Sequence, residues 1–167
     1  MALSLRALDV DGSASERTAR LTDCARREPR NAFVHHHLGL ALRERRGEEM
    51  SLVARSQALV ELAMARDLAP GFAMFRQGLA HALAEGGALP AALHEMEEAV
   101  RLEGANAGYH SDRGNILALM GRTREAVVAY CKAGALDPTT LLYEENLRAL
   151  ERKELRALPC PGTEEAP

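Results

Sequence analysis

AMFRQGLAHALAEGGALPAALHEMEEAVRLEGAN (residues 73–106) and AGYHSDRGNILALMGRTREAVVAYCKAGALDPTT (residues 107–140) align along their whole length without a gap, at a spacing of 34. Phe75 falls over Tyr109, Leu83 over Leu117, Gly87 over Gly121 and Ala92 over Ala126. Met96 falls over Tyr130, Ala99 over Ala133 and Leu102 over Leu136. Self-similarity at this period marks a helical hairpin that cannot bury its apolar face alone and therefore stacks on copies of itself. Small residues recur where antiparallel helices must approach closely. Gly39, Ala80 and Gly114 in first helices face Ala58, Ala92 and Ala126 in second ones, and Leu62, Met96 and Tyr130 fill the space beyond.

Working outward, an earlier unit starts at Ala32, with Leu38-Gly39 and Leu42, then Ala58, Leu62 and Ala65, and closes on Asp67-Leu68-Ala69-Pro70. It is seven residues longer than the others, and the excess lies between Arg43 and Gln57, as a longer loop or longer hairpin helices. Residues 14–28, closed by Pro29, read as an unpaired second helix that caps the N-terminal end. A helix over about 140–157 reads as the polar cap at the other end. Helix starts are signalled by Ser13 with Glu16, by Asn31, Asn106 and Thr123, and by Pro90 in a first turn; Gly104 is a stop. The expected organisation is a flexible stretch over 1–13, one domain over 14–157 with units 32–72, 73–106 and 107–140, and a disordered Pro-rich acidic tail over 158–167.

On these residues the chain resembles the tetratricopeptide repeat (TPR) family. That family's unit carries a glycine within its first helix, Gly at the turn, then Ala, an aromatic, Ala and a closing Pro. Here these are Gly114, Gly121, Ala126, Tyr130, Ala133 and Pro138. The resemblance spans roughly residues 14–157 and implies an all-α fold, a right-handed α-α superhelix of stacked antiparallel helix hairpins. It also implies a concave groove lined by the first helix of each unit, where ligands touch fixed positions. Those positions hold Phe33, His36, Leu40 and Arg43 in the first unit, Met74, Gln77, His81 and Glu85 in the second, and Ser111, Asn115 and Leu119 in the third. Family members that grip the acidic tail of heat-shock chaperones use Lys, Asn and Arg at positions filled here by His36, Leu40, Gly78, Gly108 and Asp112. None matches, and Asp112 would repel a carboxylate.

Composition agrees with a helical protein: Ala, Leu, Arg and Glu dominate, aromatics make up 4%, and there is no Trp. A net charge of −3 is too small to imply a polyionic partner. The arginines at 26, 27, 30, 43, 45 and 46 are interleaved with glutamates and lack an aromatic stacking set, so a solvated ion-paired face is expected and nucleic acid is not. No apolar run is long enough to span a bilayer, and Arg6, Asp9 and Asp11 interrupt the start well short of a signal sequence.

Several signals tempt a chemical reading. His35, His36 and His37 are consecutive, and on a helix neighbours point about 100° apart, so they cannot converge on one ion. His36 and His81 hold groove positions in neighbouring units, yet no third ligand accompanies them. Cys24, Cys131 and Cys160 are far apart and odd in number. Unpaired thiols in a reducing compartment are expected, buried at Cys24 and Cys131 and exposed at Cys160. No P-loop, GxGxxG, CxxC or Ser-His-Asp pattern is present. The expectation is therefore a cytoplasmic, non-catalytic module with no cofactor or metal. It binds a protein or peptide partner in its groove, as scaffold, adaptor or partner-specific chaperone. The alternatives are a metal-binding or enzymatic module using groove histidines, and weak self-association through the C-terminal helix.

Overall fold

The repeats become helices because their apolar residues recur at helical spacing between strong stop signals. A computed structural model describes residues 13–44, 52–154 and 160. Among them are eight helices and no strand: α1 (Ala14–Arg27), α2 (Ala32–Glu44), α3 (Leu52–Leu68), α4 (Ala73–Glu85), α5 (Leu89–Leu102), α6 (Ala107–Leu119), α7 (Thr123–Leu136) and α8 (Leu142–Glu154). The chain divides between Ala88 and Leu89 into two compact units. The expected expansion of the first repeat falls partly in α3, which at 17 residues is longer than α5 and α7 at 14 each. The connection over 45–51 lies outside the described residues, as do the N-terminal stretch 1–12 and most of the tail.

In the first unit α2 packs on α3, with α1 against α2 and α4 against α3. The α2–α3 approach depends on Gly39: a Cβ there would lie 2.5 Å from Cγ of Leu62 and 3.1 Å from the carbonyl oxygen of Ala58. Leu62 is completely buried, so it has nowhere to retreat. Leu21, Leu38, Leu42 and Ala58 form one core cluster, and Ala32, Ala65 and Phe75 another. In the second unit α6 packs on α7, α5 on α6 and α8 on α7. Gly114 does there what Gly39 does in the first, but its close neighbour is the ring of Tyr130, 2.5 Å from the position of a Cβ.

The two aligned turn glycines have the conformation their register demands. Gly87 and Gly121 have φ of 80° and 72°, open to a residue without a Cβ. Around Gly87 the next amide, of Ala88, donates to Leu83 and that of Gly87 to Ala84. Around Gly121 the amides of Arg122 and Gly121 donate to Leu117 and Ala118, the same paired closure of a helix end.

Helix starts follow the sequence signals with one exception. Ser13 and Glu16 form a reciprocal capping box. Asn31 accepts from the amides of Phe33 and Val34, and Asn106 from that of Gly108. Thr123 is not a cap: it is the first residue of α7, and Arg122 at the cap position makes no side-chain cap and instead forks onto Glu125.

The cysteine expectation is corrected. Cys131 on α7 and Cys160 beyond α8 form a disulfide, with their Cα atoms 5.6 Å apart. Spacing along the chain hid the pair because α8 folds back along α7 and returns the chain to it. Cys24 remains a half-buried thiol on α1.

Candidate functional site

The first helices of neighbouring repeats flank one another within each unit, α2 with α4 and α6 with α8. Phe33 stands half exposed at the start of α2, edge-to-face with Phe75 at 5.1 Å and Phe72 at 5.5 Å. Met74 is half-buried against the same cluster. Leu40 packs toward Leu62, Leu79 and Ala82, and its other side lines a cleft with Arg17, Leu21, His37 and Glu44. Gln77 and His81 are half-buried on α4. Arg43 and Glu85 tie the C-terminal ends of α2 and α4 by a two-pronged ion pair, Nε to Oε2 at 3.0 Å and Nη2 to Oε1 at 2.5 Å. Beside that pair is a cleft of about 290 Å³ floored by Ala58, Leu59 and Ala82, with Arg55 at its rim.

His36 differs from its neighbours on this face in being buried. It is only 4% exposed, its ring lies 5.0 Å from that of Phe75, and it occupies space that Gly78 leaves open. A Cβ on Gly78 would stand 2.8 Å from Cε1 of His36. Burial, with the charges of His37 and Arg43 nearby, lowers the His36 pKa from 6.5 to about 4, so the ring is neutral at pH 7. The folded protein thus binds fewer protons here than the unfolded chain. The contribution to stability is complete above pH 6.5 and is lost as pH falls through the window from 6.5 to about 4. Urea midpoints at pH 7 and pH 5 should accordingly differ more for the wild type than for His36→Phe; equal differences would contradict the assignment.

Two other histidines form a device that the triple-histidine reading overlooked. His35 and His110 hold the same position in the first and third repeats, and both are buried. Nε2 of each lies against the carbonyl oxygen six residues earlier, Pro29 at 3.1 Å and Gly104 at 2.9 Å, pinning the inter-repeat turn to the helix that follows. Nδ1 of His35 also meets Oε2 of Glu61 at 2.6 Å, joining α2 to α3. Register alone, His35 over His110, carried that signal.

In the second unit Ser111 is buried and accepts a hydrogen bond from Nδ2 of Asn146 on α8, at 3.2 Å. Asn115 is exposed, and its Oδ1 accepts from the Tyr130 hydroxyl at 2.9 Å. Burial, then the Asp112 charge, pushes the Tyr130 pKa up to about 12, so the phenol keeps the proton it donates. Leu119 is 65% exposed. These residues border a cleft of about 370 Å³ lined by Asn115, Ala118, Leu119 and Tyr130 on one side and Asn146, Ala149, Leu150 and Lys153 of α8 on the other. The two amides are thereby oriented in opposite senses. Tyr130 engages the oxygen of Asn115 and leaves its NH₂ to donate, whereas Ser111 engages the NH₂ of Asn146 and leaves its oxygen to accept. The α8 residues were not placed in the groove, because the terminal helix was read as a polar cap and as a surface for self-association.

Among the described residues no group of three His, Cys, Asp or Glu side chains could hold a metal ion. Nor is any helix there long and apolar enough to cross a membrane.

Helix hairpins in this register, with left-handed turn glycines and glycine-dependent helix contacts, define the all-α solenoid fold of tetratricopeptide-repeat proteins. Solved structures agree. MamA residues 41 to the end, from Desulfovibrio magneticus RS-1, is similar at a TM-score of 0.75 and 22% identity, over 92% of this chain and 82% of that one. TTC0263, a thermophilic TPR protein in Thermus thermophilus, is similar at a TM-score of 0.72 and 22% identity, over 82% and 72% of the two chains. YrrB, a TPR protein with an unusual peptide-binding site, is similar at a TM-score of 0.68 and 20% identity, over 79% and 64%. No protein-family model matches the sequence, and no curated protein matches it.

Proposed function

We propose that this chain is a non-catalytic protein-interaction module, an adaptor, scaffold or partner-specific chaperone, that binds an extended segment of a protein partner. One observation carries the reading: the α6–α8 cleft presents a side-chain donor at Asn115 and an acceptor at Asn146 on either side of an apolar floor. An extended peptide offers the complement, a carbonyl and an N–H along its backbone, and an aliphatic side chain of the same segment fills the space beside Leu119 and Leu150. Lys153 at the cleft edge favours an acidic residue in that segment. The fold shared with YrrB, itself described as peptide-binding, supports the same class of ligand. In the first unit Phe33, Met74 and Gln77 offer a second set of contacts on α2 and α4.

Selection of displayed 12-residue peptides against the full chain tests this. Enriched peptides should carry an aliphatic residue near an acidic one. They should bind the double variant Asn115→Ala/Leu119→Asp at least tenfold more weakly, a change of about 1.4 kcal/mol or more. Peptides that bind both proteins equally would remove the cleft from the account.

A further inference from the structure

We infer that the Cys131–Cys160 disulfide is a redox latch that holds one wall of the α6–α8 cleft in place, so that oxidation favours ligand binding and reduction releases it. The inference rests on the cleft being the ligand site, and concerns what keeps that site formed. The covalent loop runs from α7 to Cys160 and encloses all of α8. That helix supplies Asn146, Ala149, Leu150 and Lys153, half of the cleft lining. It is otherwise held by the burial of Tyr143 and Leu150 and by the bond from Asn146 to Ser111. A helix of 13 residues, terminal in the fold and mostly solvated, is marginal without tertiary support. Tying its far end to α7 removes the entropy by which it would fray.

The chemistry is a two-electron exchange. A dithiol reductant attacks one sulfur, the Sγ–Sγ bond breaks through a mixed disulfide, and the reductant leaves as its own disulfide. Cys131 and Cys160 each take up one proton and become thiols. Cys24 is a thiol in both states, so a dithiol acts on one bond. The ion pair between Arg148 and Glu144 lies within α8 and does not anchor it to α7.

The test separates the latch from the ligand site. Hydrogen exchange of the ligand-free full chain is measured oxidised, after treatment with dithiothreitol, and for Cys131→Ser/Cys160→Ser. The α8 amides should lose at least tenfold in protection on reduction while those of α2–α4 are unchanged, with the double variant matching the reduced protein in either condition. Affinity for a peptide selected against the oxidised protein should fall at least fivefold on reduction, and not respond to dithiothreitol in the variant. Unchanged α8 protection, or no disulfide by mass spectrometry of air-oxidised protein, overturns the latch without bearing on the cleft. Loosened α8 with unchanged affinity overturns control of binding and places the peptide elsewhere.

Discussion

Phe75→Ala is expected to lower the stability of the first unit by about 3–5 kcal/mol, the range for deleting a buried aromatic. Phe75 is fully buried, and its ring is met by Phe33, Phe72 and His36 at centroid distances of 5.1, 5.4 and 5.0 Å. Alanine leaves a void that the backbone cannot close, because Ala32 and Ala65 on the other side are already small and packed. It also uncovers the inner faces of Phe33 and Phe72. Phe75→Leu keeps much of the volume and should cost clearly less, about 1 kcal/mol. Urea unfolding followed by circular dichroism measures both, and hydrogen exchange locates the loss in α2, α3 and α4. A cost below about 1 kcal/mol for Phe75→Ala would show that the aromatic cluster is peripheral to the core.

Three Gly→Ala substitutions on helices are expected to differ in sign. In an exposed helix interior the change stabilises by up to about 1 kcal/mol. Gly134 on α7 is half-buried but has the same freedom, since a Cβ there meets nothing within 4 Å. At Gly39 and Gly114 the same methyl would sit 2.5 Å from Leu62 and from the Tyr130 ring, both buried. Tyr130 is further held by its bond to Asn115, so relief requires the helices to part. Overpacking of this kind costs about 1–3 kcal/mol and outweighs the gain in propensity. Gly39→Ala and Gly114→Ala should therefore lower the urea midpoint and Gly134→Ala raise it. Stabilisation by all three would mean the helix pairs are not close-packed at these glycines.

Those glycines show what the repeat made legible. The gapless pairing of 73–106 with 107–140 placed the turn glycines, the buried Ala92, Ala99, Ala126 and Ala133, and the large residues Met96 and Tyr130, and the earlier unit placed Leu62 in the same register, because every repeat faces the same packing problem. Features that break the repeat were not legible. His36 was placed on the ligand face from its position in the unit, yet it is buried, since Gly78, peculiar to one repeat, opens a slot for its ring. Ser111 was read as a groove contact, but Asn146 from the terminal helix covers it. The Cys131–Cys160 pair depends on where α8 returns the chain, which no local pattern states. Periodicity reports interactions that recur, and the candidate ligand face is built largely from ones that do not.

The central claim is that ligand lies along the first-helix faces, and an amide footprint tests it most directly. Backbone amide spectra of the full-length oxidised protein, titrated with a peptide from the selection, report which helices feel the ligand. The largest shifts should fall in α6 and α8, around Asn115, Leu119, Asn146 and Leu150, with any second set in α2 and α4. Shifts confined to α3, α5 and α7 would place the peptide on the opposite helices and contradict the claim.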